Sequence, residues 1–305
     1  MQITVAPAST KTGAAVVRPL LSLDNPSIEV KALYRDVQKV PTEFTAHENF
    51  TVIQADVSDA SSLDFSGSDA VLAITPPVHD GRNVVAHSEL VSKNVRDAVE
   101  RSGSVKRLVL LSSMGAEFSE GVGEIKTNHV AEQVLRSTNV PEIIFVRCAY
   151  FMENWTMSLD TLKGTEPFFF SSITPLDYKV HMVAVKDIGL TLATELTNTS
   201  APPSKPHILE LHGPQPYTPL DVQDAFTKAL GKGVAVKPVP KQDLPGFYGQ
   251  IFPPEIVGDW VEMATSFLPG GVAAKDTAED GETEVVHGKT ELVEAIEAAT
   301  AGIGE

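Results

Sequence analysis

Residues 7–13 read Pro-Ala-Ser-Thr-Lys-Thr-Gly and lie between segments that predict a strand and a helix. The loop therefore brings its side chains to the amino end of a helix. Unpaired N–H groups and the positive end of the helix dipole stabilise a phosphate there. Further hydrogen bonds to phosphate oxygens can come from Ser9, Thr10, Lys11 and Thr12. The segment predicts a pyrophosphate site; the alternative is an ordinary strand-to-helix turn with a hydroxyl cap.

Only one glycine, Gly13, is present in this loop, whereas dinucleotide-binding loops usually carry three. Pro7 and Thr10 occupy the other two positions of a G-x-x-G-x-x-G spacing. Gly13 keeps the role of letting the helix approach the strand closely. We therefore expect the hydroxyls around Ala8 to replace part of the usual backbone cradle.

Two further candidate contacts follow strand-like segments. Arg35 stands at the exit of the alternating segment 28–35, where a basic residue favours the 2′-phosphate of NADP(H) and an acidic one the ribose of NAD. Asp36 directly follows it, and an exposed arginine at a strand end is the alternative interpretation. Asp56, with Val57, ends the segment 50–57, where its carboxylate could accept the adenine amino group or cap the next helix.

The elements that position these residues alternate regularly. Strands are predicted at 3–6, 28–35, 50–57, 70–77, 107–113 and 143–147, and helices from residue 14 and at 84–101 and 127–137. The continuous apolar run 70–77, stopped by two prolines, is typical of a strand buried on both faces. The pattern predicts an α/β fold, a Rossmann-type doubly wound parallel sheet joined by crossover helices.

The composition of the sequence changes after residue 150, where aromatic residues, Pro and Gly are more frequent. We expect residues 1–153 to form the dinucleotide-binding domain and residues 154–305 a smaller C-terminal α+β substrate lobe. Segments 179–199 and 207–212 are expected to return to the main sheet. Helices are predicted at 220–230, 254–267 and 290–299, and the acidic stretch 275–284 as a solvated loop.

Composition narrows the class of protein. The chain has 305 residues, a net charge of −16 and one cysteine, Cys148, which predicts a protein of a reducing, cytoplasmic compartment without internal disulfides. The negative charge disfavours nucleic acid and anionic membrane surfaces, and no apolar run approaches the ~18 residues that span a bilayer. His207 and His212 have no partners at metal-ligand spacing, so no metal site is predicted.

Seven short segments resemble, in order and spacing, the NmrA-like branch of atypical short-chain dehydrogenase/reductases. They span nearly the whole chain, at 7–13, 32–35, 55–57, 110–117, 147–154, 183–189 and 211–214. The resemblance implies a Rossmann domain with a preference for NADP(H) and a small lobe that closes over the nicotinamide. It does not imply one reaction, because similar members include isoflavone- and quinone-type reductases, iminium reductases of fungal alkaloid pathways, and regulators without chemistry.

The resemblance also implies positions for the coenzyme contacts. The phosphate loop falls on residues 8–12, the 2′-phosphate contact on Arg35, and the adenine contact on Asp56 and Val57. The nicotinamide side is implied at Thr75, Pro76, Pro77, Ser112, Ser113, Met114, Tyr150, Phe151 and Asn154.

Two positions depart from the pattern of the family. The lysine expected four residues before Glu132 is replaced by Asn128, and the tyrosine of ordinary short-chain reductases would fall at Glu124. Lys126 could reach the ribose hydroxyls instead, although a solvated lysine before a helix fits equally. The candidate catalytic residues are thus Lys126, Asn128 and Ser112.

These departures bear on the reaction. Ketone reduction needs a proton donor, usually a tyrosine with a lysine beside it, whereas an iminium ion accepts hydride without a proton at the same atom. We expect an NADPH-dependent reductase of a C=N or conjugated C=C bond in a small hydrophobic, cationic molecule of alkaloid-type secondary metabolism. The alternatives are a redox-sensing regulator that binds NADP(H) without turnover, and an enzyme that couples reduction to cyclisation.

Candidates for the substrate pocket are aromatic and polar residues of the second half of the chain and of the loop after residue 77. Most aromatic side chains at such positions simply belong to the core. The candidates are His79, Glu153, Asn154, Trp155, Phe168, Phe169, His181, Tyr248 and Trp260, together with Tyr150. The oligomeric state does not follow from the sequence.

Overall fold

A computed structural model of the chain describes residues 1–22, 27–274 and 283–301, without the side chains of 157–159. The strands are β1 (Gln2–Ala6), β2 (Glu29–Tyr34), β3 (Phe50–Gln54), β4 (Ala70–Ile74), β5 (Arg107–Ser113), β6 (Glu142–Cys148), β7 (Tyr150–Phe151), β8 (Phe168–Ser171), β9 (Val180–Val183), β10 (His207–His212), β11 (Pro216–Tyr217), β12 (Ala235–Pro238) and β13 (Glu284–His287). The helices are α1 (Lys11–Ser22), α2 (Thr42–Thr45), α3 (Val84–Ser102), α4 (Lys126–Arg136), α5 (Leu159–Leu162), α6 (Val185–Thr197), α7 (Pro219–Leu230), α8 (Leu244–Tyr248), α9 (Pro254–Ser266) and α10 (Leu292–Thr300).

Eight strands form the main sheet in the order β13-β10-β6-β5-β4-β1-β2-β3, and every neighbouring pair is parallel. All five residues of β4 are buried, as the continuous apolar run predicts for a central strand. The predicted Rossmann-type α/β fold is confirmed. Because β1 lies between β2 and β4, the strand order reverses here, and in open α/β sheets the ligand crevice forms at the carboxyl ends of the strands at such a point.

Helices cover both faces of the sheet. On one face, α1 and α6 bury apolar side chains such as Val17, Leu20 and Leu192 against β1, β4 and β6. On the other face, α3 and α4 do the same with Val95 and Leu135. Two separate apolar cores therefore hold the sheet rigid, and the carboxyl ends of its strands become a fixed platform.

The helices begin and end where the sequence supplies caps. The side chain of Asn83 accepts a hydrogen bond from the Ala86 amide and starts α3, which ends at Gly103 in the left-handed conformation. A capping box of Thr218 and Asp221 starts α7, and Gly231 ends it.

A second body of structure follows β6. It contains a three-stranded sheet in the order β11-β9-β7 and a two-stranded sheet of β8 and β12, around a core that includes Trp155, Phe169 and Phe226. Helix α9 packs beside the start of α4. There a Cβ added at Gly123 would lie 1.9 Å from the Asp259 carbonyl oxygen, so the two backbones touch.

The structure corrects part of the predicted topology. Segment 207–212 returns to the main sheet as β10, but Val180–Val183 does not, because it pairs with β7 and β11 while β10 fills the place beside β6. β13 adds an unpredicted edge strand that includes Glu284. The rest of the acidic stretch, 275–282, lies outside the described residues. Within the described part of the chain, no helix has the length and apolar character needed to span a bilayer.

Candidate functional site

The loop of residues 7–10 lies between β1 and α1, at the crevice. Its backbone is tied to β2 by a hydrogen bond of 2.9 Å from the Ala8 amide to the Leu33 carbonyl. Thr10 Oγ1 accepts from the Gly13 amide at 2.9 Å, so this hydroxyl caps α1, as the alternative interpretation of the loop requires. Ser9 and Lys11 are exposed beside the start of α1, and the first amides of a helix have no intrahelical partner.

Gly13 is required by a close approach. A Cβ at this position would lie 2.7 Å from the Pro7 carbonyl oxygen and 2.8 Å from the Ala8 Cα, both of them backbone atoms. The start of α1 therefore packs directly on the loop. This close approach is the role that the sequence predicts for Gly13.

Charged residues follow β2 and β3, where the sequence predicts the adenosine contacts. Arg35 is exposed just after β2, while the Asp36 carboxylate accepts from the Gln38 amide and caps a short turn. Asp56 Oδ1 accepts from the amide and the hydroxyl of Ser58, at 2.9 and 2.7 Å. Asp56 thus closes a local turn and does not cap the next helical segment, which Asp59 caps by accepting from the Ser61 amide. The adenine contact of Asp56 stays a prediction.

Two residues at this end were not predicted from the sequence. Arg82 is paired with Asp80, and its Nη1 lies 3.4 Å from His87 Nδ1. Burial and the neighbouring Arg82 charge lower the pKa of His87, and the charges of Asp56 and Arg35 also act on it. No motif marks this loop; only its place after β4 indicates it. Asp80, Arg82 and His87 thus form a charged cluster at the loop after β4 and the start of α3.

Val57 and the diproline loop border the same crevice. Val57 is buried, and its carbonyl accepts from Asn94 Nδ2 at 3.1 Å. β4 ends at Ile74, after which Thr75 and Pro76 are partly exposed and Pro77 is exposed.

Ser112 lies in a buried polar network. Its hydroxyl donates to Glu132 Oε1 at 2.7 Å, and Arg147 donates to both Glu132 oxygens at 2.9 and 2.8 Å. A third contact of 3.3 Å links Arg147 to Glu117. This network joins the ends of β5 and β6 to α4, so the structure places the Ser112 hydroxyl in a structural hydrogen bond. The next residues, Ser113 and Met114, are partly exposed.

Lys126 and Asn128 both lie in the first turn of α4 but make different contacts. The Lys126 ammonium lies 3.1 Å from Glu262 Oε2 and 3.9 Å from Asp259 Oδ1, two carboxylates of α9. The Asn128 amide makes a long contact, 3.4 Å, with the Thr127 hydroxyl. Lys126 therefore links α4 to the lobe.

Glu124 lies on the turn just before α4 and is partly buried. Burial raises the pKa of its carboxyl to about 7, the Thr127 hydroxyl opposes this with a hydrogen bond, and the charge of Asp259 adds to the rise. A carboxyl in this state exchanges its proton near neutral pH.

The predicted pocket residues fall into separate groups. Tyr150 is hydrogen-bonded to Asn154, and burial raises the pKa of its hydroxyl far above the usual value. His79 packs 5.5 Å from the ring of Phe252 and 5.7 Å from Trp260, next to Tyr248. These residues join the loop after β4 to helices α8 and α9.

The remaining pocket candidates have other contacts. Trp155 and Phe169 belong to the apolar core of the lobe, and Glu153 accepts from the Val185 amide and caps α6. Phe168 contacts the Lys237 ammonium, and His181 packs 4.1 Å from His212. Sequence reasoning missed Phe252, which stacks on Trp260 at 4.2 Å, and Phe267, 6.1 Å from Tyr150; no local pattern distinguishes either from a core residue.

Among residues 1–22, 27–274 and 283–301, no three His, Cys, Asp or Glu side chains are grouped so that they could hold a metal ion. Cys148 is buried, and burial raises the pKa of its thiol far above the usual value, which disfavours the reactive thiolate.

The chain belongs to the NmrA-like family, which matches residues 1–299. By sequence, no curated protein matches it. The resemblance drawn from seven short segments is thus confirmed.

Several solved structures share the fold. Triphenylmethane reductase from Citrobacter sp. is 22% identical with a TM-score of 0.73, covering 99% of this chain and 100% of that one. An NADPH-dependent quinone oxidoreductase from Escherichia coli, solved with NADPH, is 20% identical with a TM-score of 0.72, covering 97% and 99%. NmrA, a negative transcriptional regulator, is 16% identical with a TM-score of 0.66, covering 99% and 91%.

Proposed function

We propose that this chain binds NADP(H) along the carboxyl edge of the main sheet and reduces a C=N or conjugated C=C bond of a small hydrophobic molecule, of the alkaloid type. The observation that carries the proposal is the loop packed on the start of α1 through Gly13, with exposed Arg35 one strand away. A pyrophosphate at the helix start and a 2′-phosphate at Arg35 satisfy both features. Two structural neighbours were solved with this coenzyme bound, which supports the choice.

Different residues of the crevice would hold different parts of the coenzyme. The amides and side chains of residues 8–12 would hold the pyrophosphate, Arg35 the 2′-phosphate, and Asp56 with Val57 the adenine. Contacts to the nicotinamide half would come from Thr75, Pro76, Pro77, Ser113, Met114, Tyr150 and Phe151. Once bound, NADPH supplies the hydride. We assign Ser112 to positioning the end of β5 and Lys126 to holding the lobe, and Asn128 is the candidate contact for the ribose hydroxyls.

The substrate would lie between the strand ends and α9. Tyr150, Tyr248 and Trp260 would offer aromatic faces on that side, and the carboxylates of Asp259 and Glu262 would add negative charge. Such a lining suits a flat apolar molecule and tolerates a cation. His79 packs on Phe252 and Trp260 at the edge of this group.

A turnover assay tests this function. Protein and NADPH are mixed with an imine, an enone, a quinone and a triphenylmethane dye, and the absorbance of the reduced nicotinamide is followed. We expect at least one acceptor to consume the coenzyme in a saturable way. Binding of NADPH without consumption by any acceptor would instead indicate a redox-sensing regulator, as the likeness to NmrA allows. Product analysis would reveal reduction coupled to cyclisation.

Replacing Arg35 with alanine should weaken NADPH binding about 10- to 100-fold and leave NADH binding nearly unchanged. The guanidinium is exposed at the exit of β2, and a charge-assisted hydrogen bond of this kind contributes roughly 1.5–3 kcal/mol. Fluorescence titration of both coenzymes measures the ratio. Lys39→Ala, which removes an exposed cation from the same loop, is the matched control, and an equal loss for both coenzymes in Arg35→Ala would remove Arg35 from this role.

A further inference from the structure

We propose that Glu124 is the proton donor of this site, and that the substrate is therefore a neutral acceptor that needs a proton as well as a hydride. This inference rests on the proposed reductase function. It deepens that function by choosing neutral conjugated carbonyl compounds, quinones and imines over preformed cations.

Glu124 lies just before α4, in line with the face of that helix that contacts the end of β5. Glu124, Asn128 and Glu132 follow one another at intervals of four residues along the turn before α4 and α4 itself, so they share one face. Glu132 reaches Ser112, near the carboxyl end of β5, at 2.7 Å. Eight residues earlier on this face, Glu124 follows Gly123, whose backbone touches α9, the helix beside which the substrate is proposed to lie.

The Glu124 carboxyl is enclosed by the neighbouring helix. The turn that carries Glu124 packs against α9 so closely that Gly123 touches the backbone of Asp259. Within the described residues, the one hydrogen bond given to the carboxyl is a long contact of 3.4 Å from the Thr127 hydroxyl. A carboxyl held this way has an oxygen left for a substrate atom.

The surrounding charges favour a proton on Glu124. Helix α9 carries Asp259 and Glu262, and the Lys126 ammonium pairs with both of them. His129, on α4, has its Nδ1 2.8 Å from the Ala116 carbonyl oxygen. Burial and the Asp259 charge raise the pKa of Glu124 to about 7, against the hydrogen bond from Thr127, which agrees with a carboxyl that can carry the proton.

The proton step follows from the electron count. The electrophilic carbon of the acceptor receives the hydride, and the π-electron pair of the reduced bond moves to the conjugated oxygen or to the nitrogen. That atom takes the proton from the Glu124 carboxyl, which becomes a carboxylate and regains a proton from water. A triphenylmethane cation needs only the hydride, because its positive charge is neutralised at the central carbon.

The test compares two acceptors in Glu124→Gln and in the unmodified protein. We expect kcat/KM for 1,4-naphthoquinone to fall about 100-fold, a typical contribution of general acid catalysis, and to lose its decline above pH 7. The rate with the cationic dye crystal violet should change less than about twofold. Glu120→Gln, an exposed carboxyl four residues earlier, should behave like the unmodified protein with both acceptors.

The fold of the variant is checked by its stability. In the folded protein the pKa of Glu124 is about 7, whereas its ordinary value is 4.5. The free energy of unfolding therefore falls as the pH rises from about 4.5 to 7, because the folded protein holds the proton more tightly than the unfolded chain. Glutamine removes this effect, and Glu124→Gln should melt at or above the temperature of the unmodified protein at pH 8. In the unmodified protein, heavy water should slow naphthoquinone reduction more than dye reduction.

Three results would overturn the inference. The first is naphthoquinone turnover by Glu124→Gln with an unchanged rate and pH profile. The second is an equal loss with both acceptors, which indicates a structural role. The third, available even if the variant does not fold, is an equal heavy-water effect on both acceptors in the unmodified protein. Absence of NADPH consumption with every acceptor would instead reject the reductase function itself.

Discussion

Replacing Gly13 with alanine is expected to lower NADPH affinity at least tenfold and to destabilise the protein by about 1–3 kcal/mol. The added methyl would lie 2.7 Å from the Pro7 carbonyl oxygen and 2.8 Å from the Ala8 Cα, and backbone atoms cannot turn away as a flexible side chain does. The start of α1 must therefore move off the loop, which separates the helix amides from the hydroxyls. Calorimetric titration and urea unfolding measure the two effects.

Gly258→Ala is the control for this substitution. Gly258 is an exposed residue of α9, and a Cβ added there meets no heavy atom within 4 Å. Alanine should raise stability there by roughly 0.5–1 kcal/mol, the usual gain over glycine inside a helix. If Gly13→Ala gave the same gain and kept full affinity, close packing of the loop on α1 would not be what shapes the site.

Arg147→Met should lower the free energy of unfolding by about 3–5 kcal/mol. Arg147 is 4% exposed, and the carboxylates of Glu132 and Glu210 nearby are 1% and 2% exposed. Removing the guanidinium leaves buried negative charge without its cation, which costs more than the ion pair itself contributes. Urea unfolding at pH 7 gives the value.

The double variant Arg147→Met/Glu132→Gln separates the charge effect from loss of packing. If the uncompensated carboxylate causes the damage, removing its charge should restore at least half of the lost stability. Equal stability of the single and the double variant would contradict this account of the network. Because Ser112 depends on Glu132 for its hydrogen bond, NADPH affinity in both variants also measures how far this network positions the end of β5.

Much of the main sheet could be predicted from the sequence because its strands carry their own signal. The apolar run that became β4 and the alternation that became β2 reflect burial of each strand, which depends on local side chains. The edge strand β13 has two partly buried residues between two exposed ones, so it shows no apolar run. The placement of β9 in the smaller sheet depends on pairing with β7 and β11, which no local pattern encodes.

The candidate site divides in the same way. The close approach at Gly13 could be predicted because it follows from a strand, a loop and a helix that are adjacent in the sequence, and the role of Arg35 is a prediction of the same kind. The contacts of Lys126 could not, because Asp259 and Glu262 lie more than 130 residues away along the chain and on another element. The pairing of Ser112 with Glu132 is also a tertiary contact. Residue types and spacing predict the candidate residues, but the tertiary contacts of each side chain determine whether it can contact a ligand.

Calorimetric titration of the unmodified protein with NADPH, and separately with NADH, tests the central claim most directly. We expect one NADPH per chain, bound more tightly than NADH, because the crevice combines the start of α1 with the exposed guanidinium of Arg35. No heat with either coenzyme, confirmed by unchanged melting temperatures at saturating concentrations, would contradict the account.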